Sequence, residues 1–371
     1  MILMGKTNEM YPWQAELWQR WMELRRRSPH AMLLKGPPGV GKLDFSMHIA
    51  RSLLCNNSRH DGSACQECAS CHWFEQGTHP DFSLLLPSAL SAEIQEASET
   101  RVAPSVKNWT RGVADEALEE QQKKGKKPGK EISVQQIRSI SGLATLSSHQ
   151  GGQRVVLIYP AESMNLNAAN ALLKTLEEPP GRMMMILVSH RAQQLLPTIV
   201  SRCLTLVAAT PEPEVSASWL RQQGYENPEA ILARAGFSPL LAVRLAERDA
   251  GAEEYRIFLQ EIRQPYRLDV FSLAEKLQRI EPVHVIHWLQ QWCYDLGSAK
   301  LTGEVRYHTD IKEHLINLSS KVGMFDLLTF QGRLITARRE ALHPLNPKLL
   351  FESILMSYRG MMLGASTGSA G

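Results

Sequence analysis

Residues 31–55 read AMLLKGPPGVGKLDFSMHIARSLLC, and this stretch decides the fold. AMLLK (31–35) is an apolar run of strand length. GPPGVGK (36–42) follows at once and fits the phosphate-binding pattern G-x-x-x-x-G-K. LDFSMHIARSLLC (43–55) then has helical spacing, with Phe45, Ile49, Leu53 and Leu54 inward. Strand, glycine loop and helix in that order form the setting in which the pattern has physical meaning. Gly36, Gly39 and Gly41 let the backbone turn its N–H groups toward a phosphate, and Lys42 reaches the outer oxygens.

The pattern is incomplete. The position after Lys42 should offer a hydroxyl to magnesium, and Leu43 has none. The second half of a hydrolytic site is a carboxylate after a buried strand. The candidate strand VVLI (155–158) runs instead into Tyr159 and Pro160, with Glu162 further on beyond the proline. Two magnesium ligands and the base are missing together. The expectation is no intrinsic ATPase and weak or absent ATP or ADP binding. The alternative is an active ATPase with an unusual magnesium site that draws on Glu162.

Outward from the loop, strand and helix signals alternate. WQAELWQRWMELRRR (13–27) has helical spacing, with Trp13, Leu17, Trp21 and Leu24 on one face. DFSLLLP (81–87), RVVLIYP (154–160), MMMILVS (183–189) and CLTLVAA (203–209) read as further strands. ISVQQIRSISGLATL (132–146) and residues 164–178 read as helices between them, the latter stopped by Pro179-Pro180. Such repetition predicts an α/β domain over 1–208, a parallel sheet with helices on both faces. Residues 88–131 are polar and biased and are expected to form a disordered insertion. PEPE (211–214) reads as a linker into a small helical domain, 209–252. An all-helical domain follows over 253–362, and 363–371 reads as a flexible tail. Its last helix begins at HPLNPKLL, with Asn346 as cap, Pro347 at the first helical position and Leu350, Ile354 and Tyr358 on one face.

Composition narrows the class. The chain has 371 residues, 43% hydrophobic and 21% charged, as in globular proteins. No apolar run reaches the roughly 18 residues of a membrane span, and the first residues lack the apolar core of a secretory signal. A cytoplasmic location is expected. A net charge of +3 does not announce a nucleic-acid binder.

Four of the six cysteines, Cys55, Cys65, Cys68 and Cys71, form C-x9-C-x2-C-x2-C. In a reducing compartment such a cluster points to metal rather than disulfides. Four soft ligands suit zinc, and a closed thiolate shell makes it structural. His60 and His72 are reserve ligands.

NAANALLKTLEEPP (167–180) followed by SRC (201–203) resembles the bacterial clamp-loader subunits of the AAA+ family. YPWQ (11–14), HPDF (79–82), IRSISGLA (137–144) and HPLNPKLLFE (343–352) extend the resemblance over nearly the whole chain. It implies an AAA+ domain with a zinc module at 55–71, then a helical lid, then a collar domain that holds a ring together. It implies a non-hydrolysing structural member of a hetero-pentamer, beside ATP-hydrolysing subunits of the gamma/tau type and a delta subunit. That ring, part of a DNA-directed DNA polymerase assembly, places a sliding clamp on primed DNA. Arg202 matches the family's arginine finger, which acts on ATP held by the neighbouring subunit. A guanidinium, always charged and forked, suits that task. Cys55, Cys65, Cys68 and Cys71 match the zinc module. Active relatives carry a nucleotide-sensing arginine at the start of a lid helix; here Pro239 and Leu240 occupy that neighbourhood, and Arg244 lies a turn later.

Overall fold

A computed structural model describes residues 10–91, 129–144, 153–247, 252–341 and 345–364. Most of the insertion expected at 88–131 and of the tail at 363–371 lies outside these residues. Among the described residues, no helix is long and apolar enough to cross a membrane. The chain separates into two compact units, one of residues up to Trp219 with Ser238–Leu241, the other of Leu220–Phe237 with residues from Ala242 on.

The first unit is built on a five-stranded sheet. Its strands are β1 (Ala31–Lys35), β2 (Phe82–Leu85), β3 (Arg154–Ile158), β4 (Met183–Ser189) and β5 (Leu204–Val207). Their order is β2-β3-β4-β1-β5, and each neighbouring pair runs parallel. Parallel strands need crossover helices, which cover both faces and explain the nearly unbroken apolar strands. Alternation along each strand divides the core in two. Met32, Leu34, Val155, Leu157, Met184 and Ile186 face one side, with Trp18, Trp21, Phe45 and Ile49. Leu33, Val156, Ile158, Met185 and Leu187 face the other, with Ile137, Ile140, Leu172 and Leu176. Leu33 and Leu34 are both fully buried, so truncating either to Ala should cost about 2–5 kcal/mol.

Among the described residues, helices of this unit include α1 (Ala15–Arg25), α2 (Lys42–Leu54), α3 (Ala69–Glu75), α4 (Val134–Ala144), α5 (Leu166–Glu177) and α6 (Pro197–Val200). Trp13 is not on the helical face read for it. It lies in a 3-10 turn, Pro12–Gln14, and the buried aromatic residues of α1 are Trp18 and Trp21. α5 begins where Asn165 caps it, its Oδ1 accepting the Ala168 N–H at 2.9 Å. PEPE is less of a linker than its composition suggests. Pro213 and Glu214 open α7 (Pro213–Gln222), because proline suits the first helical turn.

After α7 come α8 (Pro228–Arg234) and α9 (Pro239–Glu247). The rest of the second unit is helical: α10 (Ala252–Ile262), α11 (Val270–Leu277), α12 (Pro282–Thr302), α13 (Lys312–Ser320), α14 (Met324–Glu340) and α15 (Pro347–Met362). Leu289, Trp292, Cys293 and Leu296 of α12 lie in its core with Ile354 and Tyr358 of α15. Tyr358 Oη accepts from Trp292 Nε1 and donates to the Ile262 carbonyl, both at 2.9 Å. Asn346 caps α15, its Oδ1 accepting the Lys348 N–H at 3.0 Å. A fully buried Asp295 accepts the N–H groups of Arg306, Tyr307 and His308 at 2.8–3.2 Å and pairs with His308 Nδ1 at 2.8 Å.

Candidate functional site: a degenerate phosphate loop, a thiolate cluster and a held arginine

Strands β1 and β4 end beside the glycine loop, at the carboxyl edge where open α/β sheets bind ligands. The Gly36 N–H donates to the Ser189 carbonyl at 3.3 Å. A Cβ on Gly36 would lie 2.0 Å from the Ala208 carbonyl oxygen, so the residue must be glycine. Gly41 caps α2 in the left-handed region (φ 80°), and a Cβ there would strike the Tyr11 ring at 2.7 Å. Tyr11 stacks on Trp13 (4.9 Å between ring centroids), and Trp219 meets both edge-on. Gln14 Nε2 and Trp13 Nε1 donate to the Gly41 and Val40 carbonyls at 2.8 and 3.1 Å. The N-terminal YPWQ is thus a clamp on the loop.

Lys42 is 3% exposed and turned back on its own loop. Its Nζ donates to the Gly36 and Pro37 carbonyls at 2.7 and 2.5 Å. Burial pulls its pKa down to about 8, against the opposing charge of Glu162. Leu43, where a magnesium hydroxyl is expected, is a core residue at 4% exposed. The Leu240 N–H donates to the Gly39 carbonyl at 3.0 Å, so the first turn of α9 bears on this loop with an apolar residue.

The end of β3 carries no carboxylate. Tyr159 Oη lies 3.1 Å from His190 Nε2, and Glu162 Oε1 accepts the His190 N–H at 2.9 Å. Glu162 Oε2 is buried and has no hydrogen-bond partner among the described residues. The structure brings Glu162, which follows β3 beyond Pro160, within electrostatic reach of Lys42. One carboxylate, half committed to a backbone amide, does not make a magnesium site. The residues present do not fit metal-assisted phosphoryl transfer.

The four cysteines come from separate pieces of backbone. Cys55 follows α2, Cys65 lies in the loop, Cys68 caps α3 and Cys71 lies in its first turn. All four sulfurs lie within 4.8 Å of one another, and together they can hold one metal ion. His60 and His72 are not in this group. Backbone N–H groups of Glu67 and Cys68 aimed at the sulfur pull the Cys65 pKa down to about 6. Burial raises Cys55 and pushes Cys71 up to about 12. At Cys68 burial is outweighed by N–H donors, and its pKa is lowered. His79 braces the module: its Nε2 lies 2.8 Å from Ser70 Oγ, which donates to the Leu54 carbonyl.

Arg202 follows α6. Its Nη1 donates to the Thr198 carbonyl at 2.9 Å, and its Nη2 pairs with Glu177 Oε1 at 2.6 Å. Cys203 packs against the second core, and burial pushes its thiol up to about 12, which leaves it inert.

The family model described as DNA polymerase III, delta subunit, matches residues 13–212, and the one described as its C terminal matches 251–359. DNA polymerase III subunit delta' of Pseudomonas aeruginosa is 32% identical over 364 residues, 95% of this chain and 98% of that protein. The chain belongs to the delta' family of DNA polymerase III. The Bacillus subtilis delta' subunit is 28% identical over 91% of this chain and 86% of its own length. The Escherichia coli delta' subunit is 24% identical over 93% and 94%. In this delta' chain, NALLKTLEEPP falls on α5 and the turn after it, and SRC on the turn between α6 and β5. Two polar residues that bear on the sites were not singled out from sequence. Glu177 sat inside a quoted motif with no partner in view, and His190 has no motif around it.

Proposed function

We propose that this chain works as a non-hydrolysing subunit of a clamp loader, and that its active group is Arg202 rather than its own phosphate loop. The observation that carries this reading is the contrast between the two places. Lys42 is buried against its loop carbonyls, and Leu43, Tyr159 and Pro160 stand where magnesium ligands and a base are expected. Arg202 is 36% exposed, and its guanidinium is fixed at both ends. An arginine held at the surface can enter a neighbour's nucleotide site and stabilise charge on a transferring phosphoryl group. Gamma/tau-type subunits supply that ATP, a delta-type subunit completes the ring, and the assembly places a sliding clamp on primed DNA. Residues 1–208, 209–252 and 253–362 serve as AAA+ domain, lid and collar in this scheme.

The metal held by the cysteines is zinc, with a structural role. A tetrahedral zinc with bonds of about 2.3 Å places its sulfurs about 3.8 Å apart. The Cys55–Cys65, Cys55–Cys68 and Cys65–Cys71 sulfurs are 3.5, 3.9 and 3.9 Å apart. Zinc bound there ties the end of α2 to α3.

The test is ATP turnover. The chain alone should not turn over ATP, and a loader reconstituted with Arg202→Ala should assemble but have lowered DNA-stimulated ATPase. Turnover by the chain alone that disappears in Lys42→Ala would reverse the reading in favour of a site built on Glu162.

A further inference from the structure

Arg202 has four rotatable side-chain bonds and stands at the surface. An arginine in that position carries much rotamer freedom, and a finger that must meet one phosphate gains from losing it beforehand. Two anchors remove it here. Thr198 lies in α6, beside Ile199, which is fully buried. Its carbonyl takes Nη1 at 2.9 Å. Glu177 is the last residue of α5, a helix pinned to the second core by Ala168, Leu172 and Leu176. Its Oε1 takes Nη2 at 2.6 Å. Neither anchor is itself on a long loop.

We propose that Glu177 is a positioning residue for Arg202: it holds the guanidinium in the orientation that a neighbouring subunit's nucleotide requires. The proposal rests on the reading of Arg202 as an arginine finger acting in trans. Thr198 alone fixes one nitrogen and leaves the guanidinium free to swing about it. Glu177 fixes a second nitrogen and so fixes the plane. The donors not engaged by these two partners stay available for phosphate oxygens, since a guanidinium offers five N–H groups. The acidic residue at the end of LLKTLE therefore has a task in the neighbouring active site, although it lies on a different helix from the finger.

The pair is half-exposed, 36% for Arg202 and 50% for Glu177. Exposed pairs of this kind are weak, so Glu177→Ala should lower turnover by about two- to fivefold, less than the loss from Arg202→Ala. The experiment uses the full chain in a loader reconstituted with its ATP-hydrolysing partners. DNA-stimulated kcat and the KM for ATP are measured for Glu177→Ala, Glu177→Gln, Arg202→Ala and the double variant Glu177→Ala with Arg202→Ala. Assembly is checked by size-exclusion chromatography. The expected result is a fall in kcat for Glu177→Ala with KM little changed, partial recovery in Glu177→Gln, which keeps an acceptor oxygen, and no further loss in the double variant. If Arg202→Ala lowers kcat but Glu177→Ala is silent, activates, or costs as much in the Arg202→Ala background, the positioning role is overturned and the finger stands. If Arg202→Ala is itself without effect, the finger reading falls and this proposal with it.

Discussion

Replacing Lys42 with methionine tests whether the phosphate loop is still built for a ligand. The fall of its pKa from 10.5 to about 8 reflects burial of a charge. At about 1.4 kcal/mol per pH unit, keeping Lys42 protonated in the folded chain costs about 3 kcal/mol. Methionine removes that cost but gives up two charge-assisted bonds to the Gly36 and Pro37 carbonyls, worth about 1.5 kcal/mol or more each. Lys42→Met should therefore have a stability within about 1 kcal/mol of the parent at pH 7, the two effects nearly cancelling. The sign depends on pH. The folded pKa lies below the unfolded one, so between about pH 8 and 10.5 the unfolded chain binds more protons. Stability of the parent rises across that window from this group, while the variant has no such group. The variant should fall behind the parent by about 3 kcal/mol across that window. Urea unfolding followed by tryptophan emission measures it, since Trp18 and Trp21 lie in the same core as Leu43. A difference that stays constant from pH 7 to 10.5 would refute the reasoning, because Lys42 would then titrate like a solvated lysine.

Three further outcomes are expected. Cys65→Ser should lower zinc content, measured by atomic absorption, and lower the melting temperature, with chelator producing the same shift in the parent but none in the variant. Asp295→Ala strands three backbone N–H groups and an imidazole, and should destabilise the helical unit by about 3–5 kcal/mol in denaturant titration; a loss under about 1 kcal/mol would contradict this. Phe325, Leu328 and Ile335 of α14 are 81%, 57% and 52% exposed. Phe325→Ser with Leu328→Ser should leave the isolated chain folded but weaken its entry into the proposed ring by tenfold or more, on the order of 1.4 kcal/mol, as read by co-elution with partner subunits.

The sheet was legible because its strands are short, apolar and bounded, and because the glycine loop orients the first of them. The helices of the C-terminal part were legible through caps such as Asn346 and faces such as Ile354 and Tyr358. What escaped the sequence was long-range pairing of single polar groups. Arg202 and Glu177 lie 25 positions apart, and no periodicity links them. Glu162 lies beyond a proline from the end of β3 and 120 positions from Lys42, yet the fold brings their charges together. Asp295 and His308 lie on α12 and the loop after it, and neither stands in a recognisable pattern. Trp13 misled for a related reason: it keeps helical spacing with Leu17, but the chain before Ala15 turns more tightly to place its indole on Val40.

Leu43 has a consequence for any attempt to build hydrolysis into this chain. It is a packed core residue, sharing a cluster with Phe45, Ile49 and Trp21. Restoring a hydroxyl there would remove apolar contacts and return no activity while Tyr159 and Pro160 stand where carboxylates are needed. Restoring a carboxylate alone would bury a charge with no metal to meet it. Every single step back is thus costly and useless by itself. Under the proposed reading, packing at Leu43 and the missing carboxylates each block repair of the other, so a magnesium site could be rebuilt only by changing both at once.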